Sequence, residues 1–107
     1  MTETHPVAAI ISVRTVSGRR PELRALWEEH LAPRVTASQV QQVYVVVEDA
    51  ADADVLHLVE VYSDAREMAR NGMQPWFAEY MSAAGPLLAG PPLAVSGAPV
   101  WVKPALG

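Results

Sequence analysis

The hydrophobic and polar positions of this chain follow two different periods, and the changes between them divide it into strands and helices. Four runs rich in β-branched and other apolar residues are typical of strands. They span residues 7–16, 41–48, 55–62 and 93–103, the last of them interrupted by Gly97 and Pro99. Between these runs, apolar residues recur at steps of three and four, as they do along one face of a helix.

The helical period occurs in two parts of the chain. The first predicted helix begins near Pro21, since proline is favoured in a first helical turn, and Pro33 ends or kinks it. Its apolar stripe consists of Leu23, Leu26, Trp27 and Leu31. The second part contains a short helix followed by a longer one. Asp64 and Glu67 have the spacing of a capping box at the start of the short helix, and Pro75 opens the longer one.

The resulting order, β-α-β-β-α(α)-β, predicts an α+β fold of the ferredoxin-like, split βαβ type, within a single domain over residues 1–107. An antiparallel four-stranded sheet then carries its helices on one face. The strands are apolar on both sides, as Val45 and Val46 illustrate, whereas a solvated sheet face alternates with polar residues. We therefore expect a second copy of the chain to cover the other face in a homodimer, with the segment around residues 100–102 reaching the partner.

Charge and composition narrow the class of protein. The net charge is −4 and the largest basic cluster is Arg19–Arg20, which argues against nucleic acid as a partner. No cysteine is present, so disulfide scaffolds, thiol catalysis and thiolate metal sites are excluded. The apolar runs are too short to cross a membrane, and the polar start shows no signal peptide. We expect a cytoplasmic protein that does not associate with membranes.

Motifs for metals and cofactors are missing from the sequence. The three histidines, His5, His30 and His57, form no H-x-H or H-x-x-x-H pair. The acidic run at 49–54 lacks the glycine and the terminal glutamate of a calcium loop. No Gly-rich phosphate loop and no nucleophile motif occur. The sequence therefore predicts that the protein binds no flavin, haem or transition metal.

Aromatic residues cluster at the end of the third strand and in the helices after it. Four of the seven aromatic residues lie there: Tyr62, Trp76, Phe77 and Tyr80. Side chains alternate along a strand, so Glu60 shares a strand face with Tyr62. This pattern predicts a flat apolar pocket between the helices and the sheet, with the four rings in its wall. Ordinary core packing is the alternative for aromatic residues at helical spacing.

The polar groups of this predicted pocket are Glu60, as a general base, and Tyr62, as a hydrogen-bond donor that orients a substrate oxygen. Arg14, expected to point inward from the first strand, is a second candidate that could hold a substrate oxyanion. The competing interpretation is an ion pair between Glu60 and an arginine such as Arg14 across the sheet. His57 lies on the opposite strand face from Glu60 and is expected to be a packed or interfacial histidine.

Over roughly residues 7–102, the chain resembles the antibiotic biosynthesis monooxygenase family of dimeric α/β barrels. The resemblance rests on Ser17–Gly18 before an amphipathic helix, on the hairpin around Tyr44, and on E-V-Y-S-D-A-R-E-M at 60–68. Family members carry a Glu-x-Trp/Tyr strand end, then Ser or Asp, then a short helix. This chain has Tyr62 where the family often has Trp, and Asn71 near the position of a frequent His.

The resemblance implies a homodimer with a pocket in each subunit, and a cofactor-independent monooxygenase acting on a small, electron-rich aromatic molecule, such as an anthrone, a quinol or a polyketide-type intermediate. A haem-degrading relative would need an axial histidine at 63–85, where the chain has none. Two alternatives stay open: a non-catalytic dimeric ligand-binding or accessory domain, and a polyketide cyclase. The candidate catalytic residues are Glu60 and Tyr62, and the candidate substrate-binding residues are Arg14, Trp76, Phe77 and Tyr80.

Overall fold

A computed structural model describes residues 5–103. Four antiparallel strands form one sheet in the order β2-β3-β1-β4. The elements of this part of the chain are β1 (Val7–Arg14), α1 (Arg20–His30), α2 (Ala32–Ala37), β2 (Gln41–Glu48), β3 (Val55–Tyr62), α3 (Ala65–Gly72), α4 (Pro75–Ala84), a short 3₁₀ helix (Gly85–Leu87) and β4 (Leu93–Gly97). This is the predicted α+β, ferredoxin-like arrangement.

The central hairpin has the predicted bounds, and its turn is fixed by side chains rather than by a glycine. The Oδ2 atom of Asp49 accepts hydrogen bonds from the amides of Ala51 and Asp52, at 3.0 and 2.7 Å. The guanidinium of Arg20 donates to the carbonyl oxygens of Asp49, Asp52 and Val55 across the same turn. The acidic run at 49–54 therefore serves as a turn.

Two predicted strands are shorter in the structure. The first ends at Arg14 rather than residue 16, and Thr15 forms only an isolated bridge with Leu88. The last ends at Gly97 rather than residue 103. Pro99 has no N–H to donate to a ladder, which explains why pairing with β1 does not continue beyond it.

The helix ends follow the local sequence signals. The first helix ends at His30, and Pro33 lies in the first turn of α2, where its missing N–H costs nothing. Asp64 caps α3 through a 2.8 Å hydrogen bond from the Glu67 amide to its carboxylate, as predicted. Gly18, in the predicted turn before α1, has a φ of 79°, a region that favours glycine.

The helices lie on one face of the sheet, and the core is between them and that face. Its buried residues are Val13, Leu23, Leu31, Leu56, Tyr80, Ala84 and Leu87. The strand residues that point to the helices include Ile11, Tyr44, Leu58 and Glu60, which are paired neighbours across β1, β3 and β2. The opposite face exposes apolar side chains: Ile10, Val45, Val47, Leu93 and Val95. We call these five residues the open sheet face.

Among residues 5–103, no helix is both long and apolar enough to cross a membrane.

Candidate functional site

A cavity of about 290 Å³ lies between the helices and the covered face of the sheet. All four aromatic residues singled out in the sequence line it, together with Glu60. The remaining walls are mostly aliphatic, and include Ile11, Leu58, Met68 and Met81. The volume is at the lower end of the range of about 300–1,000 Å³ that ligand sites occupy, so it suits a compact ligand.

The aromatic wall is built by α4, whose helical spacing stacks three rings along the cavity. The Trp76 and Phe77 rings meet edge to face, with centroids 6.3 Å apart, and Phe77 and Tyr80 are also 6.3 Å apart. Tyr80 is buried, and this burial raises the pKa of its hydroxyl to about 12. Tyr80 is therefore a neutral phenol at physiological pH.

Glu60 forms the polar end of the cavity and is only 6% exposed. The Tyr62 hydroxyl donates to its Oε1 atom at 2.5 Å. That hydroxyl in turn accepts hydrogen bonds from the Gln41 Nε2 atom at 2.9 Å and from the Asn71 Nδ2 atom at 3.2 Å. Because two amide donors occupy its oxygen, the phenol has its single proton left for the carboxylate.

Tyr44 approaches Glu60 from the neighbouring strand. The two residues are directly paired in the β2–β3 register, and the Tyr44 side chain helps to lower the pKa of Glu60. The indole Nε1 atom of Trp27 donates to the Tyr44 hydroxyl at 3.1 Å. Tyr62 is therefore the hydroxyl that bonds directly to the carboxylate, and Tyr44 lies on the neighbouring strand with its own oxygen bonded by the indole. Burial raises the pKa of Tyr44 well above its ordinary value, so it too stays protonated.

Two opposing effects act on the pKa of Glu60. Burial raises it, because the cavity solvates a charge poorly, and the hydrogen bonds from Tyr62 and Tyr44 lower it. Burial is the larger effect, so the pKa is raised. Within residues 5–103, no basic side chain forms an ion pair with Glu60. The site therefore contains a buried carboxylate that only neutral donors stabilise.

The position predicted for Arg14 is wrong. Ile11 and Val13 point toward the cavity, so strand alternation turns Arg14 to the opposite face. Its Nη2 atom pairs with the Asp52 carboxylate at 2.7 Å, and the side chain is 57% exposed. Arg14 therefore neither lines the cavity nor neutralises Glu60.

His57 lies on the open side of the sheet, as the strand pattern predicted. Its Nδ1 atom is 2.9 Å from the Ser12 hydroxyl, and its Nε2 atom is 2.7 Å from the Asp49 carboxylate. The hydrogen bond from His57 is the main cause that lowers the pKa of Asp49 to about 2. The trio has the residue types of a hydrolase triad. None of its members lines the cavity of Glu60, so we treat it as a structural link between β1, β3 and the turn.

Sequence reasoning missed Tyr44, Gln41 and Trp27 as members of the site, and it gave Asn71 no role there. A signal for Tyr44 was present. Two strands of equal length joined by a tight turn fix the register of a hairpin, and that register places Tyr44 opposite Glu60. Gln41 and Asn71 carry no such signal, because a β-bulge between Gln41 and Val43 and the position of α3 bring them to Tyr62.

No metal-binding cluster accompanies this site. Within the part of the chain that the structure describes, no three His, Asp or Glu side chains lie together in a way that could hold a metal ion. The Oε1 atom of Gln41 is the one buried side-chain oxygen or nitrogen there without a hydrogen-bond partner.

Comparison with known proteins supports the fold. No protein-family model and no curated protein matches the sequence. Among solved structures, a "putative antibiotic biosynthesis monooxygenase" from Caulobacter crescentus has a TM-score of 0.84 at 16% identity, with 92% of this chain and 93% of that chain covered. A protein of the same description from Chloroflexus aurantiacus has a TM-score of 0.79 at 21% identity, covering 92% and 96%.

A third structure, Rv0793 from Mycobacterium tuberculosis, is 28% identical, with a TM-score of 0.78 over 91% of this chain and 97% of that one. The resemblance to antibiotic biosynthesis monooxygenases that the sequence suggested is thus confirmed in three dimensions. The chain has a monooxygenase-like fold of this kind, over nearly the full length of its structural neighbours.

Proposed function

We propose that the protein is a cofactor-independent monooxygenase that acts on a compact, electron-rich aromatic molecule such as an anthrone or a quinol. The observation that carries this proposal is the buried Glu60 carboxylate, held by the Tyr62 hydroxyl in an otherwise mostly apolar, aromatic-lined cavity. A base with a raised pKa in such a cavity is suited to removing a proton from a weakly acidic aromatic substrate.

The reaction needs only a base and oxygen. For an anthrone, Glu60 takes a proton from the carbon opposite the carbonyl, and the electron pair of that C–H bond stays on the ring system. The carbanion passes one electron to oxygen, and the resulting radical and superoxide combine to form a C–O bond. The peroxide takes up a proton to give a hydroperoxide. The remaining proton on that carbon is then lost as the O–O bond breaks, so that the carbon becomes a carbonyl and the departing hydroxide leaves as water. In total, one anthrone and one oxygen molecule give one anthraquinone and one water.

The residues around Glu60 have distinct roles in this proposal. Tyr62 holds the carboxylate in one orientation, and the amides of Gln41 and Asn71 keep the Tyr62 proton directed at it. The aromatic rings of α4 exclude water and stack against the substrate. Tyr62 is therefore a positioning residue, whereas Glu60 contacts the reacting proton.

We also propose that the protein works as a homodimer formed through the open sheet face. The support is the set of exposed apolar side chains on that face, since a sheet face of a monomer in water normally carries polar residues. Residues 100–102, including Trp101 at 78% exposure, extend beyond β4 and are available to contact the partner.

The test is oxygen uptake by the purified protein, with no added flavin or metal, on a panel of anthrones and quinols. We expect one oxygen consumed per anthrone and a quinone product. Glu60→Gln should reduce kcat by about 10²–10⁴-fold, the usual contribution of a general base. Glu79→Gln, an exposed change on α4, is the matched control and should have little effect.

Two other outcomes would redirect the assignment. Tight binding of these aromatics without oxygen uptake would favour a ligand-binding or accessory domain. Ring closure of a polyketide-type substrate without oxygen uptake would favour a cyclase. If no aromatic compound binds at all, the cavity has lost its proposed role.

A further inference from the structure

A second cavity, a surface groove of about 300 Å³, adjoins the first. It is formed by α2, the segment before β2, α3 and the start of α4. Asn71 and Trp76 belong to the walls of both cavities, so the groove lies at the outer side of the aromatic wall. We call it the outer groove. We call the cavity that contains Glu60 the inner cavity. Unlike the inner cavity, the outer groove is lined largely by polar and charged side chains, among them Arg34 and Arg70.

The outer groove carries a net positive charge on an acidic chain. Its charged side chains are Arg34, Arg70 and Glu67, so two positive charges face one negative charge. Arg70 pairs with Glu67 at 3.3 Å. Within residues 5–103, Arg34 has no acidic partner, and its guanidinium lies over the Trp76 ring at 5.6 Å. The cation–π contact holds this charge next to the inner cavity without neutralising it.

The neutral groups of the groove are also hydrogen-bond donors. The Ser38 hydroxyl oxygen accepts bonds from the amides of Val40 and Gln41, at 3.2 and 3.1 Å, so its proton is left to donate. The Asn71 amide gives one N–H to Tyr62 and has a second N–H remaining. A positive charge surrounded by free donors is complementary to an anion.

The Glu60 carboxylate in the inner cavity repels an anion. Glu60 is buried with no basic partner among the described residues, so a second negative charge beside it would be strongly unfavourable. For a ligand that carries both a ring hydroxyl and an anionic group, electrostatics therefore favours the orientation with the hydroxyl toward Glu60 and the anion toward Arg34.

We propose that the outer groove is a subsite for a carboxylate on the ligand whose aromatic ring fills the inner cavity. This inference rests on the proposed function and narrows its substrate class to aromatic hydroxy acids. Arg34 is the specificity-determining residue, since a guanidinium matches the two oxygens of a carboxylate. Arg70 adds to the positive electrostatic potential of the groove, but its ion pair with Glu67 partly neutralises its charge.

The test compares two stable ligands that differ only in the carboxylate: 2-naphthol and 6-hydroxy-2-naphthoate. Binding is followed by calorimetry at low salt with the full chain. We expect the naphthoate to bind the wild-type protein about three- to tenfold more tightly, and this advantage to shrink as salt is added. Arg34→Gln should remove most of the advantage, which is measured as the ratio of the two affinities within one variant. Arg66→Gln, an exposed change on α3 with the same loss of charge, is the control and should preserve it.

Several results would overturn the subsite. Equal affinity of the two ligands for the wild-type protein would do so while leaving the inner cavity and the proposed function intact. If Arg34→Gln and Arg66→Gln lose the affinity advantage of the naphthoate equally, only the overall charge of the protein determines that advantage. Failure of both ligands to bind the wild-type protein would remove the subsite together with the function on which it rests.

Discussion

Glu60 is the residue at which burial and hydrogen bonding oppose each other most directly. A carboxylate that accepts a hydroxyl bond but has no ion-pair partner is stabilised less than one in an ion pair. It consequently gains a proton more easily, and its pKa moves toward the pH at which a general base works best. An arginine at this position of the site would have held Glu60 ionised and made it a weaker base.

The pH dependence of folding should reveal this raised pKa. The folded protein binds the Glu60 proton more tightly than the unfolded chain does, so the residue contributes stability below the ordinary pKa of glutamate. That contribution is lost as pH rises through the folded-state pKa. Relative to Glu60→Gln, the wild-type protein should lose stability over this window, as measured by urea unfolding at a series of pH values.

Comparing the two proteins cancels the effects of other groups, including Asp49 and Asp52, whose pKa values are lowered. The wild-type kcat/KM should rise over the same window, because the base must be ionised to act. Parallel stability curves for the wild-type and variant proteins would show that Glu60 titrates normally.

Tyr62→Phe should affect both stability and the pH profile. Removing the hydroxyl leaves the Gln41 and Asn71 amides without their acceptor, and we expect a cost of about 1–3 kcal/mol in urea unfolding. It also removes a bond that lowers the pKa of Glu60, so the acidic limb of the rate profile should move to higher pH. Tyr80→Phe alters another tyrosine of the cavity that does not bond to Glu60, and should leave the limb in place. An unmoved limb in Tyr62→Phe would exclude Tyr62 as a positioning residue.

At the scale of elements, local sequence signals were sufficient for most of the fold. The equal, β-branched runs of β2 and β3 gave their correct bounds, and Asp64 and Pro33 marked helix boundaries that the structure contains. Alternation places Glu60 and Tyr62 on one face of β3, but it does not decide which face of β1 points inward. Both sides of β1 are apolar, which is why Arg14 was assigned to the wrong face.

Only the part of the site that is formed by residues near one another in the sequence was predictable. Tyr62 and α4 follow one another along the chain, so their meeting could be anticipated. The contacts of Tyr62 with Gln41 and Asn71 depend on a bulge and on the position of a helix, and neither has a signature in the sequence. The outer groove depends likewise on the relative placement of α2 and α3.

The cap of α3 is an element-scale feature with a measurable effect on the stability of the protein. Asp64→Ala removes the carboxylate that binds the Glu67 amide, and should cost about 1 kcal/mol of stability, the usual effect of losing a helix cap. Asp64→Asn, which also caps well, should retain most of the stability that the cap contributes. Both are measured by thermal and urea unfolding. Equal losses in the two variants would show that the charge, and not the hydrogen bond, stabilises the helix start.

At the scale of the whole molecule, the sheet has two unequal faces. One is covered by helices and encloses the cavity, whereas the open sheet face exposes five aliphatic side chains over β1, β2 and β4. Leaving such a surface in water is unfavourable by roughly 25 cal/mol for each Å² of apolar area. A second copy, packed sheet to sheet, would cover the exposed apolar face of each copy in one symmetric interface.

A charge placed on this face should therefore separate the subunits. We expect the wild-type protein to sediment at twice the monomer mass at micromolar concentration. The reason is that an interface of obligate type would bury more than about 2,000 Å² and so give a stable dimer. Val45→Asp should shift it to the monomer, because the carboxylate would lose its water on dimerisation without gaining a partner. Val16→Asp is the matched control, since Val16 is also 45% exposed but lies beyond the end of β1.

The Val16→Asp protein should remain dimeric. Trp101→Ala should weaken the dimer without abolishing it, because the proposed contact of the C-terminal segment adds to the sheet interface rather than forming it. If the wild-type protein is a stable monomer at micromolar concentration, the open sheet face has another role, and the cavity functions within one chain. If Val45→Asp stays dimeric while Trp101→Ala dissociates, the subunits associate through their C-terminal segments and not through the sheets.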